Sequence, residues 1–184
     1  MTTRFEQALK NNNHQGPLVI LGAVNAYSAM LARDAGAKAL YISGSGVAAA
    51  SYGLPDLGIT SLDNVLEDVR RISSAVDLPI LVDIDTGWGD AFHIQRTIKE
   101  MIKAGAAAIH IEDQAEQKRC GHRANKQLVT TEQMIERLDA VHTANADNTL
   151  FIMARTDAYA SEGLQAAIER AKAYVKAGAQ AIFC

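Results

Sequence analysis

The sequence predicts an α/β chain assembled from repeated βα units, and three observations predict it. Six short apolar runs begin near residues 18, 39, 79, 107, 149 and 180, recurring about every 32 residues, the size of one βα unit. Three segments share one design: LARDAGAKALYIS (31–43), MIKAGAAAIHIED (101–113) and YVKAGAQAIFC (174–184) each have a helical end, then Ala-Gly-Ala, then an apolar run. The runs are apolar without alternation, as in strands of a parallel sheet covered by helices.

Each element has its own local reason. MTTRFEQALKNNN reads as a short amphipathic helix ending in asparagine, within an N-terminal helical segment of residues 1–16, and lacks the apolar centre of a signal peptide. PLVILGA (17–23) is the first strand. Gly36, Gly105 and Gly178 fit helix C-terminal positions in the left-handed conformation, ahead of strands two, four and six. Thr60 with Asp63 marks the start of NVLEDVRRI, and Thr130 with Gln133 forms a capping box ahead of MIERLDAVH. PILVDID (79–85) and LFIMARTDA (150–158) are strands three and five. An open doubly wound sheet would be complete with six strands, whereas a (β/α)8 TIM barrel needs roughly 250 residues. The sequence stops directly after AQAIFC with no helix to cover that strand. Residues 1–184 therefore read as one incomplete TIM-barrel domain with its first six strands present, strands seven and eight and the C-terminal helices missing.

Composition excludes several classes. With 48% hydrophobic and 21% charged residues the chain is globular and not disordered. A formal charge of -3 lacks the basic footprint of a nucleic-acid binder. No apolar run approaches the ~18–20 residues of a membrane span. Two cysteines, Cys120 and Cys184, do not make a disulfide framework, so a soluble, reducing, cytoplasmic setting is expected.

The polar residues gather at the C-terminal ends of the apolar runs, where parallel α/β folds place their sites. Strand three ends in Asp83 and Asp85, two apart and so expected on one face, and strand four carries His110 and Glu112 by the same rule. Strand two ends in YISGSG with Ser43, and strand five delivers Arg155 and Asp157. Carboxylates on adjacent strand ends repel and are costly to bury without a counter-charge. A divalent cation resolves this, and all-oxygen donors suit Mg2+, with Mn2+ as a substitute. The plainer alternative is that some of these acids pair with Arg155 or cap helices.

The loop QAEQKRCGHRANKQ (114–127) sets Lys118, Arg119, His122, Arg123 and Lys126 around Cys120. Nearby cations favour the thiolate and suit proton transfer to or from carbon. A zinc site is not expected, since Cys120 and His122 lack a second ligand pair. SGSGVAAAS lacks the Gly-x-Gly-x-x-Gly spacing and a following P-loop lysine. His93 and His142 are expected on helices as surface or packing residues, and Trp88 between two glycines walls a pocket or packs a loop. Asp56 in GLPDLG is expected to bond its own backbone in a turn.

In this order, YISGSGVAAASYGLPDLG, LVDIDTGWG, IHIEDQ, KRCGHR and ARTDA resemble the isocitrate lyase/phosphoenolpyruvate mutase superfamily, over about residues 5 to 183. The resemblance implies a (β/α)8 barrel whose C-terminal helix is exchanged between subunits of a tetramer. It implies a carbon-carbon lyase splitting 2-methylisocitrate into pyruvate and succinate with Mg2+. Catalytic roles then fall on Cys120, Tyr41, His110 and Arg155: Cys120 protonates the carbanion, Tyr41 is the candidate base, and His110 and Arg155 hold the enolate. Substrate binding falls on Ser43, Gly44, Ser45, Lys118, Arg119, Gly121, His122 and Arg155, with Ser45 standing where glycine is frequent. Asp83 and Asp85 would reach the metal directly or through water, with Asp56 and Glu112 completing the acidic surround. The implied partner is a small tricarboxylate, with no nucleic acid or membrane, in a homo-oligomer. An isocitrate lyase, another superfamily enzyme acting on a 2-oxo or 2-hydroxy acid, and an inactive remnant needing a completing partner are the alternatives. Family members continue Phe-Pro-Glu where this sequence has Phe183-Cys184, and that acid belongs to their site.

Overall fold

Every one of the six apolar runs forms a strand. In the computed structural model, which describes residues 2–12, 16–116, 118–121, 123 and 125–184, they are β1 (Ile20–Gly22), β2 (Ala39–Ile42), β3 (Ile80–Asp83), β4 (Ala108–Glu112), β5 (Phe151–Arg155) and β6 (Ala181–Phe183). Each pairs in parallel with the next, so the sheet order is β1-β2-β3-β4-β5-β6. A doubly wound sheet reverses its order at a switch point. These strands do not, and the sheet is an open stretch of TIM-barrel wall.

The helices run α1 (Arg4–Asn12), α2 (Ala26–Asp34), α3 (Gly44–Tyr52), α4 (Leu62–Ala75), α5 (Ala91–Ala104), α6 (Thr131–Ala144), α7 (Tyr159–Glu162) and α8 (Leu164–Lys176). The glycine-rich segment after β2 is thus helical, with Ser43 as its N-cap accepting from the Gly46 amide. Among the described residues no helix is long and apolar enough to cross a membrane.

Strand pleating separates two faces. Outward residues Leu40, Ile42, Ile80, Val82, Ile109, Ile111 and Ile152 pack with Val65, Val69, Ile98, Met101, Leu138 and Val141 of the helices. Inward residues Ala39, Leu81, Ala108 and Phe151 pack with Phe5 of α1, whose ring centroid is 5.3 Å from that of Phe151. The N-terminal helix therefore plugs the wall at the N-terminal ends of the strands. One pleat further on, the same inner face turns polar. Register places Asp83 abreast of His110, Glu112 abreast of Arg155, and Arg155 abreast of Phe183.

Thr130 and Gln133 form the expected capping box. The cap of α4 is Ser61, paired reciprocally with Asn64, and not Thr60. Thr60 is buried, and its carbonyl accepts from Trp88 Nε1 at 2.9 Å. Trp88 therefore packs the loop and also lines a cleft. Gly178 has φ +103°, and a Cβ there would stand 2.5 Å from His142 Nε2. His142 is a packing residue, while His93 is exposed and paired with Asp90 at 2.8 Å.

Candidate active site

The inner ends of β2, β3 and β4 bring Tyr41, Asp83 and His110 together. Tyr41 Oη lies 2.9 Å from His110 Nε2, and His110 Nδ1 lies 3.7 Å from Asp83 Oδ1 without a hydrogen bond. Burial pushes the His110 pKa down, against the pull of Asp83, so the ring is neutral. A neutral ring whose Nε2 accepts from the Tyr41 hydroxyl carries its proton on Nδ1. Burial and the Asp83 charge push the Tyr41 phenol far above its usual range.

Asp83 and Asp85 do meet, although not through the pleat. The strand ends at Asp83, and Asp85 follows with φ 47°, in the left-handed region that Asp tolerates better than most residues. The turn is held by the Asp85 amide donating to Asp83 Oδ1 at 3.0 Å. Gly44 closes the other side, its amide donating to Asp83 Oδ2 at 3.1 Å. A Cβ on Gly44 would stand 3.2 Å from both Asp83 Oδ2 and Asp85 Oδ1. Burial and Asp83 raise Asp85 to about 7, while Lys118 and the Asp85 amide hold Asp83 below its ordinary value in spite of burial.

Lys118 supplies a counter-charge where the sequence pointed to a divalent cation or to Arg155. Its Nζ lies 2.6 Å from Asp85 Oδ1 and also pairs with Asp56. Asp56 is therefore a site residue reaching across 62 positions, and not merely a turn residue. On the other flank, Arg155 pairs with Glu112 at 3.4 Å and Asp157 at 3.2 Å, and stands 4.9 Å over the Phe183 ring. Burial still raises Glu112 to about 8, with Arg155 opposing.

The loop after β4 covers this flank. Gly121 lies so close to Arg155 that a Cβ would meet Nη2 at 2.1 Å. Cys120, half-buried, is its neighbour. The expected ring of cations around the thiol is redistributed, because Lys118 and Lys126 are paired with carboxylates. The Arg119 side chain is exposed, and what the loop uses there is its main chain. His122 lies outside the described residues. Ser43 and Ser45 are half-buried at the start of α3. A cleft of about 240 Å3 opens on the Lys118 side, between Gly58, Asp85, Trp88 and Glu116. A second of about 240 Å3 opens on the Arg155 side, between Gly121, Lys126, Asp157 and Phe183.

Gln114 and Phe183 were not among the residues gathered at the site from sequence, and Asp157 was gathered there without a role. Gln114 was findable, since it continues the alternation of His110 and Glu112, and it is buried. Phe183 was findable only through its register with Arg155.

Among the described residues no group of three His, Cys, Asp or Glu side chains forms a ready metal cage. The donors nevertheless fit a hard divalent cation that keeps most of its waters. Among the described residues Glu112 Oε1 is buried and accepts no hydrogen bond, and Asp85 Oδ1 is buried against Lys118 Nζ. With no Cβ at Gly44, space remains next to Asp85 Oδ1, beside the Gly44 amide that already bonds Asp83 Oδ2.

A parallel βα barrel wall whose charged groups converge at the C-terminal strand ends defines the class. The phosphoenolpyruvate phosphomutase family profile matches residues 7–184, and the chain belongs to that family. Within it, the chain is 61% identical over 180 residues to the 2-methylisocitrate lyase of Shewanella oneidensis, covering 98% of this chain and 61% of that protein. Among solved structures, it superposes on oxaloacetate acetylhydrolase bound to 3,3-difluorooxalacetate with a TM-score of 0.91 and 32% identity, covering 97% of this chain and 61% of the other. It superposes on phosphonopyruvate hydrolase in complex with oxalate and Mg2+ with a TM-score of 0.82 and 36% identity, covering 99% and 62%. The chain thus spans about three fifths of the length of these proteins.

Proposed function

We propose that this chain carries the site of a 2-methylisocitrate lyase, which cleaves the C2–C3 bond to give pyruvate and succinate. The observation that carries the reading is a site with paired carboxylates, Lys118 and Arg155 beneath a Cys120 loop, in a chain 61% identical to such a lyase. Asp83 and Asp85 would hold Mg2+, or Mn2+ in its place, with Asp56 and Glu112 around it. Bound there, the cation would polarise the 2-hydroxyl and its neighbouring carboxylate.

The remaining steps belong to the chain's own residues. The hydroxyl proton passes to the Tyr41–His110 pair, where the neutral imidazole is the acceptor and the phenol the relay. As the C2–C3 bond breaks, its electron pair moves onto the succinate fragment, and the C2 oxygen becomes the pyruvate carbonyl. Arg155, with Ser43, Ser45 and the main chain around Gly44 and Gly121, offsets the developing enolate charge. Cys120 then gives its proton to the carbanion, and His122 of the same loop binds a substrate carboxylate. The loop must exclude water while the enolate exists. On this reading the protein is a cytoplasmic homotetramer of propionate breakdown, and residues 1–184 supply the first six strands of one barrel domain.

The test is pyruvate release from 2-methylisocitrate, with and without Mg2+, against glyoxylate release from isocitrate. Mg2+-dependent pyruvate release supports the reading. Faster isocitrate cleavage would move it to an isocitrate lyase. The TM-score of 0.91 to an oxaloacetate acetylhydrolase favours one further substrate class for the same assay, 2-oxo diacids.

A further inference from the structure

The segment around Cys120 is held at two points by one buried network. The Gln114 amide grips residue 119 by both main-chain groups: the Arg119 amide donates to Oε1 at 2.9 Å, and Nε2 donates to the Arg119 carbonyl at 2.9 Å. On the other side of the cysteine, Lys126 Nζ donates to the Gly121 carbonyl at 2.6 Å. The two grips share an anchor. Asp157 accepts from Gln114 Nε2 at 3.0 Å through Oδ2 and from Lys126 Nζ at 2.9 Å through Oδ1. Gln114 and Asp157 are almost fully buried, and the Lys126 side chain is only 4% exposed. Burying this much polarity is costly unless it fixes something, and a fully satisfied network is rigid.

We propose that Gln114, Asp157 and Lys126 form a positioning device that fixes the backbone on both sides of Cys120 and so aims its thiol. Gln114 is the specific element, because only a neutral amide can accept from one main-chain group and donate to the next while also serving Asp157. Glutamate would set a second carboxylate against Asp157 and the Arg119 carbonyl. Lys126 is the second latch, and Asp157 couples the two to Arg155, to which it is also bonded at 3.2 Å. The functional part of the inference rests on the lyase reading. The positional part does not.

The test compares Gln114→Glu, Lys126→Met and Lys126→Arg with the unaltered chain. It reads the iodoacetamide alkylation rate at Cys120 by peptide mass spectrometry, with the exposed Cys184 as internal reference. The expected result is a Cys120 rate changed by about tenfold, equivalent to ~1.4 kcal/mol of local opening, in Gln114→Glu and Lys126→Met. Cys184 should be unchanged, and Lys126→Arg should lie nearer the parent. Far-UV circular dichroism melts report folding, and Lys126→Met serves as the second variant should Gln114→Glu unfold. In the lyase assay, kcat should fall by as much as about a hundredfold with KM little moved, as for a misplaced reacting group. Unchanged Cys120 alkylation in both folded variants overturns the positioning device. Altered alkylation in a protein that releases no pyruvate from 2-methylisocitrate leaves the device standing and overturns the lyase reading.

Discussion

Lys118 Nζ sits 2.6 Å from Asp85 Oδ1, with both side chains almost fully buried, so the loop after β4 is tied electrostatically to the turn after β3. Breaking a buried pair leaves an uncompensated charge, which typically costs about 3–5 kcal/mol. Lys118→Met should therefore lower the urea unfolding free energy on that scale, and adding Asp85→Asn should restore much of it. Additive losses in the double variant would mean that the two groups do not interact.

Replacing the thiol addresses the chemistry. Cys120→Ser should lower turnover by about 10²–10⁴-fold, the usual range for removing a positioned acid, with KM for 2-methylisocitrate nearly unchanged. Parallel loss in KM would assign Cys120 to binding.

The pH dependence of stability follows from the two raised carboxyls. Asp85 at about 7 and Glu112 at about 8 bind protons in the folded chain at pH values where the unfolded chain has released them. The folded state thus holds more protons, and metal-free stability should fall as pH rises from about 6.5 to 8. Below that window the lowered His110 pKa acts in the opposite sense. Urea midpoints in EDTA should show the fall, and Glu112→Gln should flatten it. A rising midpoint in the parent would contradict the assignment.

Metal binding is separable from turnover. A cation that binds only the folded chain should stabilise it by about 2.7 kcal/mol at a hundredfold excess over its Kd. Mg2+ should raise the melting temperature, and Asp85→Asn should remove most of that rise. An equal rise in the variant would exclude Asp85 as a ligand.

The cap of α4 gives a local check. Ser61→Ala should cost about 1 kcal/mol, like Thr130→Ala at the start of α6. A thermal melt unchanged by Ser61→Ala would return the cap to Thr60.

What could be read in advance differs by the range of the force involved. The strand at Ala108–Glu112 was legible because its apolar run is local, and Gly105 ahead of it because its positive φ is a local steric demand. The α4 cap was misplaced because Thr60 and Ser61 are adjacent hydroxyls, and only the burial of Thr60 under Trp88 separates them. That Asp83, Asp85, His110, Glu112 and Arg155 gather at strand ends was legible from the apolar runs, whereas Asp56 read as a turn residue and joined them only through the family resemblance. Their pairings were not legible, because Lys118 lies 62 residues from Asp56 and could have turned toward the thiol or toward solvent.

By itself the sequence determined the six strands, the glycines that end three helices, the inner-face alternation on β4 and the strand-end placement of Asp83, His110, Glu112 and Arg155. Those follow from periodicity and backbone sterics, which act over a few residues. The tertiary structure alone decided the consecutive strand order, the Lys118 link to Asp85 and the double grip of Gln114 and Lys126 beside Cys120. Each of these depends on which distant groups burial forces into contact, where an unpaired charge or amide would be too costly to leave alone.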